Sequence, residues 1–232
     1  MKRFFFLIIL AFLCMFPGGK VLAESSNDLP EGFVYIQNII PNIVLDMRYC
    51  TDENFVGQRI TGYEEPKGIL TREAAEALNK VQNELNSFGL GLKVYDAYRP
   101  KQAVGHFVRW AEDLDDTKMQ AKYYPNVDKN NLFKDGYIAE KSSHSRGSTV
   151  DLTIVSLDSK TPQELDMGST FDFFGPVSWP SSRIPSLSQR AHRSLLQIIM
   201  KKYGFEPLNE EWWHFTLKNE PFPNQYFDFP VR

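Results

Sequence analysis

The spacing of apolar positions changes several times along the chain. An unbroken apolar run covers residues 4–16, with Lys2 and Arg3 before it, Pro17-Gly18-Gly19-Lys20 after it, and Val21-Leu22-Ala23 beyond. These are the three regions of a secretory leader, so residues 1–23 are expected to be removed after Ala23. A membrane anchor is the alternative, but the run has thirteen residues where a bilayer takes roughly twenty. Cys14 lies inside the run behind Leu13, a poor junction for lipid attachment. Downstream, the alternation over 42–49 predicts a strand, and the polar residues up to Tyr63 a long loop. Thr71 can cap a helix whose apolar positions Ala74, Leu78, Val81, Leu85 and Phe88 recur at helical spacing until Gly89. Residues 92–98 predict a strand, Pro100 opens a helix to about residue 114, and 149–155 predict another strand. An amphipathic helix over 188–203 ends at Gly204, and a last strand covers 213–217. The polar stretch 115–141 and the Pro/Ser-rich stretch 176–186 read as loops. Neither repeat nor linker interrupts this series. It predicts one α+β domain over 24–232, an antiparallel or mixed sheet backed by helices.

Composition narrows the functional classes. With 232 residues, 42% hydrophobic and 14% aromatic, the chain can bury a sizeable core, and 24% charged residues are ordinary for a globular protein. The net charge is −3 with no basic run, which sets nucleic-acid binding aside. Leader removal takes Lys2, Arg3 and Lys20 and no acid, leaving −6. Only Cys50 then remains, so an intramolecular disulfide, a cysteine zinc finger and an iron–sulfur cluster are all excluded, and Cys50 reads as a small core residue. The nucleophile elbow G-x-S-x-G, S-x-x-K, the Walker loop, G-x-G-x-x-G and H-E-x-x-H are absent.

The chain has four histidines. His106 and His192 fall within amphipathic helices and read as surface or packed residues. His144 sits in the small polar loop Ser142-Ser143-His144-Ser145-Arg146-Gly147-Ser148, which feeds the strand carrying Asp151. On that strand Asp151 shares a face with Thr149 and Thr153, opposite Val150, Leu152 and Ile154, so its carboxylate is expected to point away from the core. An imidazole and a carboxylate presented by one loop-strand unit suit zinc, and His214 can supply the third ligand of a site with an open position. The competing reading is that these are ordinary surface groups.

Four elements carry a resemblance: Asp96-Ala97-Tyr98-Arg99-Pro100, Ser142-x-His144-x-x-Gly147-x-x-x-Asp151, Met167-Gly168-Ser169-Thr170-Phe171-Asp172, and Glu211-x-Trp213-His214. In this order they resemble the VanX-like D-alanyl-D-alanine dipeptidases, over nearly the whole chain from the Leu45-Asp46-Met47-Arg48-Tyr49 segment onward. The His/Asp and Glu-x-Trp-His elements are shared with D,D-carboxypeptidases and the hedgehog signalling domain; the other two are narrower. The resemblance implies one Zn²⁺ per chain at one end of the sheet, held by His144, Asp151 and His214. It further implies Glu211 as general base, Arg99 as the partner of the oxyanion and Asp172 as the acid near the substrate ammonium. Ser142 is a candidate for the substrate carboxylate, and Asp96 for orienting Arg99 or a zinc-ligand histidine. Alternatives on the same scaffold are a D,D-carboxypeptidase of peptidoglycan stems and a noncatalytic zinc module. On a regular strand Glu210, not Glu211, would share a face with His214, so the assignment of Glu211 requires a bulge or turn at Trp212. The expected partner is a small D-dipeptide, with no nucleic acid and no membrane after cleavage. The expected location is the periplasm, reached by secretion across the inner membrane. Oligomeric state is not legible.

Overall fold

Alternating β-branched and small polar residues over Thr149–Ser156 build the longest strand among the described residues, and the sheet assembles on it. The computed structural model describes residues 29–232, so the expected leader and Cys14 lie outside the described residues. In chain order the elements are Phe33–Tyr35 (β1), Ile36–Ile39 (α1), Val44–Leu45 (β2), Ile69–Thr71 (β3), Arg72–Asn86 (α2), Leu90–Asp96 (β4), Lys101–Glu112 (α3), Gln120–Tyr123 (α4), Thr149–Ser156 (β5), Gln163–Glu164 (β6), Leu187–Lys202 (α5), Phe205–Pro207 (β7) and His214–Leu217 (β8). The main sheet runs β2-β4-β5-β8-β7, with β6 on the end of β5. Only β2 and β4 pair in parallel, so the sheet is mixed. Helices α2 and α5 back it, and β1 and β3 form a separate antiparallel pair. The fold is the single α+β domain the sequence predicts.

Helix α2 forms where its signals lie. The Thr71 hydroxyl accepts from Ala74 N, and Ala74, Leu78, Val81 and Leu85 are buried. Phe88 departs from the pattern: it lies beyond the helix end and is 71% exposed. Helix α5 begins one residue earlier than expected because Ser186 and Gln189 form a reciprocal capping box. The strand expected over 42–49 shrinks to Val44–Leu45, since the chain then turns through a short 3-10 segment that buries Tyr49 in an aromatic cluster with Phe55, Tyr63 and Phe107. The stretch 115–141 is not wholly irregular; it carries α4 and a 3-10 turn. Cys50 is half-buried against the core.

The face of β5 that holds Thr149, Asp151 and Thr153 is as buried as the apolar face. Asp151 does point away from the apolar face, toward the loop of His144, but into a cavity that Tyr49, Asp172 and Phe174 also line rather than into open solvent. Register then decides which side chains meet. A bulge in β4 between Val94 and Asp96 pairs Asp96 with Asp151, and Asp151 pairs with His214 on β8. Cross-strand partners share a face, so three chemically active residues form one row at one end of the sheet.

The loop that brings His144 to this row is held from several sides. Thr71 N donates to Gly147 O, Leu217 N to Ser148 O and Phe227 N to Ser145 O, at 2.7, 2.9 and 2.8 Å. Gly147 has φ +84, and a Cβ there would overlap the Phe33 ring. That ring is fixed among Tyr98, Phe222, Phe227 and Phe229. Gly147→Ala therefore combines left-handed strain with overpacking. A loss of about 2–4 kcal/mol in urea unfolding is expected, and a loss below about 0.5 kcal/mol would show that the loop is not held in this way.

Candidate active site

The three candidate ligands converge. His144 Nδ1 donates to the Ala97 carbonyl at 2.7 Å, and a carbonyl only accepts, so in the neutral ring Nε2 carries the free electron pair. That atom faces His214 Nδ1 at 3.2 Å and Asp151 Oδ2 at 3.3 Å. His214 Nδ1 is also 3.1 Å from Asp151 Oδ1, while its Nε2 has Ser143 Oγ at 3.3 Å. One ligand atom from each of the three residues can be chosen so that all lie within 4.8 Å of one another. Asp151 Oδ1 is fully buried and makes no well-formed hydrogen bond among the described residues. Electron pairs that face each other in a dry site repel unless a cation or protons lie between them. Ligands roughly 2.0–2.1 Å from a tetrahedral Zn²⁺ stand about 3.4 Å apart, close to the spacings found. Two imidazole nitrogens and one carboxylate oxygen thus fit zinc with a fourth position open.

The surrounding charges are set by burial and neighbours. Burial by itself would raise the Asp151 carboxyl, but His144 and His214 hold it well below the usual carboxylate range. Burial lowers His144; it also works against the charged form of His214, which Asp151 and Glu211 nevertheless raise. The Arg99 guanidinium contacts Asp96 Oδ2 through Nε and a terminal nitrogen, both at 2.9 Å, and Asp151 Oδ2 at 3.5 Å. It stacks on the rings of Tyr49 and Phe107. Asp96 is wholly buried and also accepts from Tyr63 OH at 2.6 Å. It touches His144 Nδ1 only at 3.5 Å, so its closer partner is Arg99, while Ala97 orients the imidazole.

Glu211 stands outside β8, because Trp212 and Trp213 form a turn before the strand begins at His214. The turn brings Glu211 Oε2 to 3.5 Å from His214 Nδ1, whereas Glu210 is exposed. Burial raises the Glu211 carboxyl, with Asp151 adding to it. Asp172 is the one non-glycine among the described residues with positive φ, +59. Such backbone is costly and needs an external restraint; here Tyr49 OH donates to Asp172 Oδ2 at 2.8 Å. Burial, reinforced by the Asp151 charge, pushes the Asp172 carboxyl well above its usual range. The Ser142 hydroxyl oxygen accepts from His144 N at 3.3 Å and caps the turn that carries His144. Arg99, Ser142, His144, Asp151, Asp172, Glu211 and His214 all line one cavity of about 320 Å³; Asp96 stands behind Arg99. His106 and His192 lie apart from it, bonded to Thr61 N and to the Asp166 carbonyl.

A protein-family model described as peptidase M15, D-ala-D-ala dipeptidase, matches residues 30–232. The chain belongs to this peptidase M15 family. It is 41% identical over 201 residues to a D-alanyl-D-alanine dipeptidase of Enterococcus faecium, covering 87% of this chain and 98% of the relative. A D-alanyl-D-alanine dipeptidase of Enterococcus faecalis is 39% identical, with 88% and 100% covered, and one of Streptomyces coelicolor 38% identical, with 86% and 98% covered.

The structure of this M15 chain adds residues that sequence reasoning passed over. Tyr49 holds Asp172, Tyr63 holds Asp96, and the Ala97 carbonyl selects the His144 tautomer. Arg193, only 2% exposed, donates to the carbonyls of Met167, Val177 and Trp179 and to Ser169 Oγ. Ser169 Oγ also accepts from Trp212 Nε1, and Ser178 O from Trp212 N. One guanidinium therefore ties the segment of Asp172 to the turn of Glu211. No motif marks Arg193, since its partners are mostly backbone.

The raised Asp172 carboxyl has a consequence for stability. In its pH window the folded state binds more protons than the unfolded state, so stability falls as pH rises from the unfolded carboxylate range toward the folded pKa. Asp172→Asn keeps the acceptor for Tyr49 OH, suits the left-handed backbone and removes the charge. In metal-free protein at pH 7 it is expected to gain about 1–3 kcal/mol in urea unfolding, with the gain fading as pH falls to about 4. An equal gain at both pH values would assign it to backbone preference alone.

Proposed function

We propose that this M15 chain is a zinc-dependent dipeptidase acting on D-alanyl-D-alanine or a closely related D-dipeptide. The observation that carries this reading is the enclosure of Asp172 and Arg99 in the cavity that holds the His144, Asp151 and His214 set. A free dipeptide brings an ammonium and a carboxylate into so small a space, and each needs a partner. The names of the relatives agree with this substrate.

Under this reading His144, Asp151 and His214 hold one Zn²⁺ per chain, which when bound makes water a nucleophile near neutral pH and polarises the scissile carbonyl. Glu211, its pKa raised toward the working range, accepts the proton of the attacking water at Oε2 and delivers it to the departing amine. Arg99, fixed by Asp96 and stacked on Tyr49, faces the charge that develops on the carbonyl oxygen. Asp172 pairs with the ammonium; a longer peptide presents an uncharged amide there and leaves the carboxylate unmatched. Ser142 uses its oxygen for the His144 amide, so its hydroxyl hydrogen is available to the substrate carboxylate. The leader over 1–23 would place this activity across the inner membrane, in the periplasm.

Two experiments test the reading. Purified protein is expected to carry about one zinc per chain, and His214→Ala to lose most of it. Glu211→Gln should keep the metal while kcat falls on the order of 10²–10⁴-fold. Near-normal turnover in Glu211→Gln with loss in Glu210→Gln would move the base by one residue. The second compares kcat/KM for free and N-acetylated D-alanyl-D-alanine. The wild type should favour the free amine, and Asp172→Asn should cost about 1.5–3 kcal/mol on it and much less on the acylated form. Equal turnover of both by the wild type would point to a carboxypeptidase of stem peptides.

A further inference from the structure

Helix α5 is apolar on two sides. Leu196, Ile199 and Met200 are buried toward the sheet, while Leu187 is 78% and Ile198 67% exposed. At about 3.6 residues per turn, Leu187, Ala191 and Ile198 fall on one outward line with Leu195 beside it. Arg190 and Lys201 flank that line on one side, while Lys202, on the other, is paired with Glu84 of α2 at 2.6 Å. Just before the helix, Ile184 is 71% exposed, and Trp179 is 38% exposed in the loop that Arg193 ties to α5. Between Asp172 and Glu206 there is no acidic residue, in a chain of net charge −3; of the five basic ones Arg193 is buried and Lys202 is paired with Glu84, which leaves Arg183, Arg190 and Lys201.

Against the expectation of no membrane partner after leader removal, we propose that this face of α5 rests on an anionic lipid surface. An exposed apolar stripe with basic flanks is the pattern of a helix lying in the plane of a membrane interface, its cations at the headgroup phosphates. Charge decides against a second copy of the chain. Antiparallel pairing of two such stripes would set Arg190 against the Lys201 end of its mate; α5 has no acid to compensate, and Glu84 of α2 beside it is engaged by Lys202 and Tyr203. No residue of α5 lines the active-site cavity, so the docked protein keeps its substrate entrance free.

The test is flotation with vesicles of phosphatidylcholine alone or mixed with phosphatidylglycerol. The chain from residue 24 is used, because the apolar run over 4–16 would bind lipid by itself. The family match begins at residue 30, and relatives are covered over 98% and 100% of their length, so the domain is complete without the leader. Binding to the anionic vesicles that weakens with salt is expected. Leu187→Ser combined with Ile198→Ser should weaken it at least about tenfold, and Lys201→Gln about fivefold, with thermal midpoints near that of the wild type. Absence of binding, equal binding to both vesicles, or unchanged binding in the variants would overturn the proposal. A concentration-dependent dimer in sedimentation that the same serine substitutions abolish, without vesicle binding, would assign the face to a second copy instead.

Discussion

A carboxylate buried on the central strand, at one end of the sheet, is the constraint on which the site is built. Asp151 occupies the central strand, is 1% exposed and stays ionised, which is costly unless positive charge is brought to it. His144, His214 and Arg99 all approach its oxygens. Each then makes a demand of its own. Arg99 needs a second acid, which Asp96 supplies, and Asp96 needs a donor, which is Tyr63. The cluster still carries more acids than cations. Within it the Asp172 and Glu211 carboxyls are raised by burial and by the Asp151 charge, and the facing lone pairs leave a place where a divalent cation removes the imbalance.

Such a cluster survives only on a rigid frame, because low dielectric magnifies every misplaced charge. The frame has two parts. Sheet register sets Asp96, Asp151 and His214 in one row, and this part is as firm as the backbone ladder. The remaining groups ride on irregular segments that are tied down one by one: the His144 loop by β3, β8 and the C-terminal tail, and the Asp172 segment by Arg193 and Tyr49. Arg193 spends a buried cation on neutral oxygens, an expensive arrangement whose return is a fixed loop.

Local signals were readable in the sequence and long-range ones were not. Helix α2 combines a cap, a 3.6-residue period and a glycine stop, so its limits follow from a few adjacent residues. The motif residues could be collected into one cavity by family resemblance, but the reason they meet lies in register, and a bulge at one position of β4 cannot be seen in alternation. Alternation separated the two faces of β5 but could not show that the polar one is buried, since the Tyr49, Asp172 and Phe174 that line the cavity with Asp151 come from segments far away in sequence. The Tyr49–Asp172 hydrogen bond spans 123 positions, and no periodicity reports it. At Glu211 the parity rule failed for a local reason: Trp212 and Trp213 leave the extended conformation and the strand starts one residue later.

Asp172 and Glu211 show why residue type alone does not assign a role. Both carboxyls are raised by burial and by the charge of Asp151. Asp172 is enclosed, bonded to Tyr49 and held in strained backbone, so it keeps one position and offers a fixed point of negative charge only when a cation arrives beside it. Glu211 is 29% exposed at its side chain and adjoins His214, so it has a route to water and to the metal-ligand set together. A group that must gain and lose a proton in each turnover needs such a route, whereas a group that recognises charge works best when water cannot screen it. The proposed division of labour, recognition by Asp172 and proton transfer by Glu211, thus follows from access to solvent in two otherwise similar acids.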